Sequence, residues 1–221
     1  IVTKNEEFLA AILVPGHGGS GEAAGFDWPA MATFYQKLSE ICEEKNILLF
    51  WDCVMSGGGR TGGDKEGRGF FASDHYGSIK NDGRSYGKGL TSGYGPGSLA
   101  MVSQPIADAI DAQGCDFGST YSGQYTAVAV AAAVLDEMER DEHHLLRNAR
   151  SMGDQLWAEE LAPRILSEFP EVILESRGTG LLRALVVDRQ VDMVELKKAL
   201  LAEGLLPFLQ RNILSQKITF M

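Results

Sequence analysis

The run Ile47-Leu48-Leu49-Phe50-Trp51-Asp52, continuing as Cys53-Val54-Met55-Ser56-Gly57-Gly58-Gly59-Arg60-Thr61-Gly62, decides how the rest of this chain reads. An unbroken apolar run closed by a single acid is the pattern of a buried strand in a parallel sheet. The segment before it, Ala30 to Lys45, carries Met31, Phe34, Leu38, Ile41 and Cys42 at helical spacing, and Asn46 ends that helix. Helix, strand and loop in this order predict an α/β architecture. Ligands of open α/β sheets collect beyond the carboxyl ends of the strands, so Asp52 stands where a site is expected. Taken alone, an Asp at that place reads better as a loop or helix cap.

Working outward, the 26 glycines are concentrated before Gly123, in clusters at Gly16–Gly25, Gly57–Gly69 and Gly83–Gly97. Such clusters read as loops with unusual backbone angles or close approach to a ligand. After Gly123 long helical stretches take over. Tyr125 to Arg140 is expected to be a mostly buried helix, and Glu142 to Phe169 a second long one, broken near Pro163. Val172 to Val187 holds two β-rich runs around Arg177-Gly178-Thr179-Gly180, a hairpin-like pair. Asp192 is placed to cap a helix through Glu203, with Glu195 at the capping-box position. Leu205 to Met221 is short, apolar and ambiguous between helix and strand.

Composition excludes several classes. The formal charge is −10, from 30 acidic against 20 basic residues, which argues against nucleic acid as a partner. No run of apolar residues is long enough for a membrane span, and the first residues lack the order of a signal peptide; a cytoplasmic protein is expected. Cys42, Cys53 and Cys115 contain no close pair, and His143 and His144 are neighbours on a charged segment, so neither disulfides nor a metal is expected.

Two further segments hold chemistry-bearing residues. Lys88, between Gly87 and Gly89, has backbone freedom and little side-chain cover, which suits an amine that forms a Schiff base and then acts as a base. Thr120-Tyr121-Ser122-Gly123 precedes an Ala-rich helix, and hydroxyls at a helix start suit a phosphate. Each has an ordinary alternative: a surface-turn lysine, and a plain Ser/Thr cap.

In combination the segments say more. Asp52 to Gly62 resembles the pattern D-E-V-x-T/S-G-x-G-R-T-G of the class III, fold type I aminotransferases. Gly87-Lys88-Gly89-Leu90-Thr91-Ser92-Gly93-Tyr94 resembles the lysine motif of that family. Thr120 to Asp136 resembles its T-Y-S-G-H-P segment with the helix that follows, and Arg177-Gly178-Thr179-Gly180-Leu181-Leu182 its small-domain turn. The resemblance implies the C-terminal part of a large, mostly parallel-sheet domain over residues 1–144 and a partial α+β small domain over 145–221. It implies pyridoxal 5'-phosphate (PLP) as cofactor, with Asp52 on the pyridine nitrogen, Val54 on the ring face and Lys88 as the Schiff-base lysine and later proton carrier. Thr120 would reach the cofactor phosphate of a neighbouring subunit in a homodimer with shared active sites. The implied reaction moves an amino group from an amine or amino acid to a keto acid or aldehyde.

The chain departs from the pattern at four places. Cys53 replaces the glutamate after the aspartate, Ile12 to Gly19 lacks the glutamate of E-P-x-x-G-x-G-G, Gln124 replaces histidine, and Gly83-Arg84-Ser85-Tyr86 is a poor strand. Arg60 is read as structural. His17 and Arg211 are remote candidates for lining the substrate pocket and for holding a substrate carboxylate, respectively. An aminomutase, decarboxylase or racemase of the same family remains open. So do a non-catalytic scaffold and a phosphate-binding module built on Gly57 to Gly63, although the latter lacks the Walker and dinucleotide fingerprints.

Overall fold

The computed structural model describes residues 10–15, 28–77, 79–115, 118–206, 208–211 and 216–220; the cluster Gly16–Gly25, with His17, lies outside them. A first sheet is ordered β1 (Ala11–Pro15), β2 (Leu48–Asp52), β3 (Gly83–Tyr86) and β4 (Leu99–Val102). The first three strands are parallel and β4 runs antiparallel to β3. Helix α1 (Trp28–Glu44) makes the crossover from β1 to β2, as the apolar spacing predicts, and Asn46 ends it in a left-handed turn at φ 53°.

Because side chains alternate along a strand, Leu49 and Trp51 share one face of β2 and pack with Tyr35, Leu38 and Cys42 of α1. The rings of Tyr35 and Trp51 meet at 4.8 Å and those of Tyr35 and Tyr76 at 4.7 Å. Their polar tips are satisfied: Tyr35 donates its hydroxyl to the Pro15 carbonyl at 2.6 Å, and Trp51 its indole N–H to that of Lys80 at 3.0 Å. The opposite face carries Leu48, Phe50 and Asp52, and its neighbour Leu13 on β1 is 67% exposed. Burial of the apolar run is therefore complete on the α1 face only.

Gly83 to Tyr86 corrects the expectation of a poor strand, for the segment is β3 and lies at the middle of the ladder. Its unpromising residues are each matched by a distant partner. A side chain at Gly83 would meet the Phe50 ring and the Met101 carbonyl at 2.7 Å, so only glycine fits. Arg84 pairs with Asp74 at 2.9 Å and lies 4.8 Å over the Phe71 ring. Tyr86 is buried edge-on against Phe70 and Phe71. After β4, helix α2 (Gln104–Gln113), which no reading above anticipates, starts at Ser103 with Pro105 in its first turn and ends at Gly114, φ 61°.

Helix α3 (Tyr125–Ser151) runs through both predicted helices, but its first half is largely exposed rather than buried. The Ala- and Val-rich stripe that suggested burial has no complete cover among the described residues. Arg140 leaves helical geometry, and Asp141, Glu142 and His143 follow in left-handed conformation at φ 50–56°. Each left-handed residue costs roughly 1–2 kcal/mol. Arg147 offsets part of this by donating from Nε to the Glu142 carbonyl at 3.0 Å and from Nη2 to the Asp141 carbonyl at 2.8 Å. Beyond Ser151 the chain is a π-helix over Met152–Leu161 and then α4 (Ala162–Glu168), with Pro163 in the first turn of α4.

A second, wholly antiparallel sheet is ordered β5 (Ile173–Thr179), β6 (Leu182–Val187), β8 (Gln216–Phe220) and β7 (Phe208–Arg211). β5 and β6 form the expected hairpin, its turn tighter than read because Arg177 to Thr179 belong to the strand. Ile173, Leu185, Val187 and Ile218 pack with Trp157, Ile165, Leu196 and Leu200 in a separate core. Helix α5 (Met193–Ala202) is capped by Asp192, which accepts from Val194 N–H at 2.8 Å and Glu195 N–H at 3.3 Å. Glu195 bonds Lys198 at 2.7 Å. The ambiguous tail contributes β7 and β8.

Candidate active site

Two parallel strands end side by side at the carboxyl edge of the first sheet. Asp52 is the register partner of Ser85, and Cys53 N–H extends the ladder by donating to the Ser85 carbonyl at 3.1 Å. Asp52 is exposed but not loose: its Oδ1 accepts from Val54 N–H at 3.0 Å and from Ser85 Oγ–H at 3.2 Å. Two residues beyond that pair, Val54 lies close to Gly87. A β-carbon on Gly87 would lie 3.7 Å from Val54 Cγ1, an ordinary contact distance that places the two residues next to each other.

Lys88 follows at once. It opens a short 3-10 helix (Lys88–Thr91) in left-handed conformation, φ 47°, and its side chain is exposed. Among the described residues its ammonium has no hydrogen bond and no ion pair. The structure therefore brings Asp52, Val54 and Lys88 to one edge. Thr120 is not joined to them: it is exposed in the loop 118–124, and no hydrogen bond among the described residues links it to the other three. The loop's neighbouring residues Tyr121 and Ser122 line a groove of about 980 Å³ together with Leu90, Leu99, Val128 and Leu135.

The start of α3 also corrects the sequence reading. Gln124, not a Ser or Thr, caps the helix by accepting from Ala127 N–H at 2.8 Å. The Ser122 hydroxyl is turned back to accept from Ser119 N–H at 2.8 Å.

The glycine loop 57–63 is a packing device. Side chains at Gly57 and Gly58 would collide with the Tyr86 ring, and at Gly59 and Gly63 with Leu146. Its amides are largely spent on protein carbonyls: Gly57 on Cys53, Gly59 on Phe70, Gly62 on Gly59 and Gly63 on Leu146. A phosphate cradle needs open space, and the side chains of Tyr86 and Leu146 fill the space over these glycines. The Arg60 carbonyl accepts from Leu181 N–H at 2.8 Å and ties the loop to the second sheet. Arg211 falls in β7, its side chain outside the described residues.

Cys53 is fully buried, and its thiol is pushed up to about 11, chiefly by burial, with the charge of Arg84 working in the opposite direction. It is a neutral packing residue at physiological pH. Ser85 is the residue that sequence reasoning missed. Its signal was the parallel register with Asp52, which a polar four-residue strand does not advertise.

The strand ends thus present a carboxylate fixed by two donors and, on the segment that follows the neighbouring strand, a lysine with no hydrogen bond or ion pair among the described residues. Comparisons with known proteins give the family. The chain belongs to the class III aminotransferases, whose family profile matches residues 2–215. It is 34% identical over 202 residues to acetylornithine aminotransferase of Thermosynechococcus vestitus, covering 90% of this chain and 44% of that protein. Its fold superposes on a transaminase from the marine bacterium Virgibacillus with a TM-score of 0.81 at 25% identity, covering 99% of this chain and 49% of that one. An amine transaminase from an uncultivated Pseudomonas species, solved with PLP bound, matches at a TM-score of 0.79 and 30% identity, over 100% of this chain and 49% of that one. The chain thus spans about half the length of the relatives it matches.

PLP fits the residues present. The fixed Asp52 carboxylate matches a protonated ring nitrogen, the apolar side chain of Val54 a flat ring, and the exposed Lys88 amine, without a partner among the described residues, an aldehyde.

Proposed function

We propose that this chain supplies the carboxylate and lysine of a PLP-dependent aminotransferase site, within a protein that moves an amino group from an amine or amino acid to a keto acid or aldehyde. The observation that carries this is the pairing at one sheet edge of an Asp52 held by two donors with a Lys88 that has no partner among the described residues. With PLP bound, Asp52 would keep a proton on the ring nitrogen, Val54 would pack on the ring, and Lys88 would hold the cofactor through its amine. Once released by the substrate amine, the Lys88 Nζ holds and moves the proton at the substrate carbon. The bound cofactor supplies the electron sink for that proton's departure.

Residues 1–144 form the large-domain portion and 145–221 the small-domain portion, with separate hydrophobic cores in support. The protein acts as a homodimer in which Thr120 serves the phosphate of the partner's cofactor. In support, Tyr121 is 83% exposed and Tyr125 91% exposed beside an apolar groove.

The test is a visible absorbance spectrum of the natural full-length protein before and after borohydride, with peptide mass mapping. A yellow band that bleaches and leaves a phosphopyridoxyl mass on the Lys88 peptide is expected, and Lys88→Ala should abolish both the adduct and turnover while keeping the fold. A colourless protein that takes up no PLP would replace this reading with the non-catalytic scaffold. A PLP adduct without amino transfer would point to the aminomutase, decarboxylase or racemase relatives.

A further inference from the structure

We propose that Ser85 is a positioning residue that sets the Asp52 carboxylate relative to Lys88; the inference rests on the reading of Asp52 as the partner of the ring nitrogen. Asp52 Oδ1 has two donors of different origin. Val54 N–H, at 3.0 Å, belongs to the same strand end as Asp52 and moves with it. The Ser85 hydroxyl, at 3.2 Å, comes across from β3, the strand that leads directly into Lys88. A carboxylate only accepts, so the hydroxyl must donate, and its orientation is thereby settled.

With the Val54 bond alone, the carboxylate can still turn about that single contact. The Ser85 bond adds a second fixed point, and ties it to the lysine-bearing strand rather than to the strand of Asp52. The register that makes this possible is held by the main chain, because Phe50, Trp51 and Asp52 pair with Gly83, Arg84 and Ser85, and Cys53 N–H bonds the Ser85 carbonyl at 3.1 Å. Ser85 is half-buried, so water replaces its hydroxyl only in part. The hydroxyl's hydrogen bond goes to Asp52, so its effect passes through that carboxylate. Loss of the hydroxyl therefore weakens the hold on the ring-nitrogen proton and leaves substrate binding alone.

The experiment uses the full-length protein reconstituted with PLP labelled with 15N at the ring nitrogen, and compares Ser85→Ala, Ser85→Val, Ser85→Thr and Asp52→Asn. In the natural protein and in Ser85→Thr, which keeps the hydroxyl, the 15N resonance should lie at the protonated-pyridine position. In Ser85→Ala and in Ser85→Val, which matches threonine in shape without the hydroxyl, it should move toward the neutral position. kcat should fall about three- to tenfold at unchanged KM, the rate equivalent of one hydrogen bond. Asp52→Asn should show the full displacement. An unmoved resonance in Ser85→Ala and Ser85→Val, with Asp52→Asn displaced, would overturn the role of Ser85 and leave that of Asp52 standing. An unmoved resonance in Asp52→Asn would overturn the Asp52 reading, and the Ser85 proposal with it. A Ser85→Thr variant displaced as far as Ser85→Val would assign the effect to packing, and would overturn the proposal as well.

Discussion

His75 lies 3.0 Å from the Thr61 hydroxyl through its Nε2, underneath the glycine loop that follows the β2 strand end. Its basicity is lowered mainly by burial and further by Arg150, while Asp74 and Asp64 pull the other way. A histidine with a depressed native pKa binds fewer protons folded than unfolded just below its ordinary value near 6.5. Stability contributed by the neutral ring is therefore present at neutral pH and is lost as the pH falls through that window, by at most about 1.4 kcal/mol per pH unit. Urea unfolding midpoints at mildly alkaline and mildly acidic pH should diverge in the natural protein and converge in His75→Gln. An equal divergence in both would show that His75 is not the titrating group. Cys53 behaves in the opposite manner, since burial keeps it neutral across the same range and it adds no pH dependence there.

The turn between β5 and β6 is the element whose placement is most demanding. Gly180, at φ 52°, leaves no room for a side chain, because a β-carbon would come within 2.6 Å of the Arg60 carbonyl and the Gly62 nitrogen. Gly153 of the π-helix abuts the same residue, with Gly180 Cα 2.6 Å from where its β-carbon would stand. Arg183, its basicity lowered chiefly by burial, holds the turn from inside by donating to the Gly180 and Gly178 carbonyls at 2.9 Å each. Gly180→Ala and Gly153→Ala should each lower stability by roughly 1–3 kcal/mol, the usual range for overpacking. The double variant should lose less than the sum, since both changes open one contact. Additive losses in calorimetry would mean that the two glycines act independently. Nothing in Arg177-Gly178-Thr179-Gly180 as a sequence reveals this, because the surface it meets is Arg60 to Gly62, far away along the chain. The same reason separates the legible elements from the illegible. Ile47 to Trp51 and the helix before it carry their pattern within themselves, and so does the cap at Asp192. β3 does not: Gly83 answers to Phe50, Arg84 to Asp74 and Ser85 to Asp52, none of which is its neighbour in sequence. Asp52 and Lys88 are separately ambiguous as chemistry, and the strand register that pairs Asp52 with Ser85 brings both to one edge of the sheet.

At the scale of the whole molecule, the exposed first half of α3 and the isolation of Thr120 bear on the proposed dimer. If Lys88 and Thr120 serve one cofactor from two subunits, Lys88→Ala and Thr120→Asp proteins, each nearly inactive alone, should complement each other. Mixed, dissociated and reassociated, they should regain up to about a quarter of the natural activity, because half of the dimers are mixed and each holds one intact site. No recovery, with mixed dimers verified by native mass spectrometry, would place both residues in the same subunit's site or remove Thr120 from it. The apolar stripe of α3 reads from sequence as buried, and among the described residues it has no complete cover. The join between the two sheets works differently, because main chain meets main chain at Gly180 and Arg60–Gly62, with Leu181 N–H bonded to the Arg60 carbonyl at 2.8 Å. Side chains can repack to absorb a shift, but peptide planes in contact cannot. The joint therefore behaves as a weld, and the second sheet is carried as ballast by any displacement of the loop that ends β2. A side chain at Gly180 is therefore met only by a shift of the main chain at Arg60–Gly62, and the seam resists gradual adjustment of the angle between the sheets.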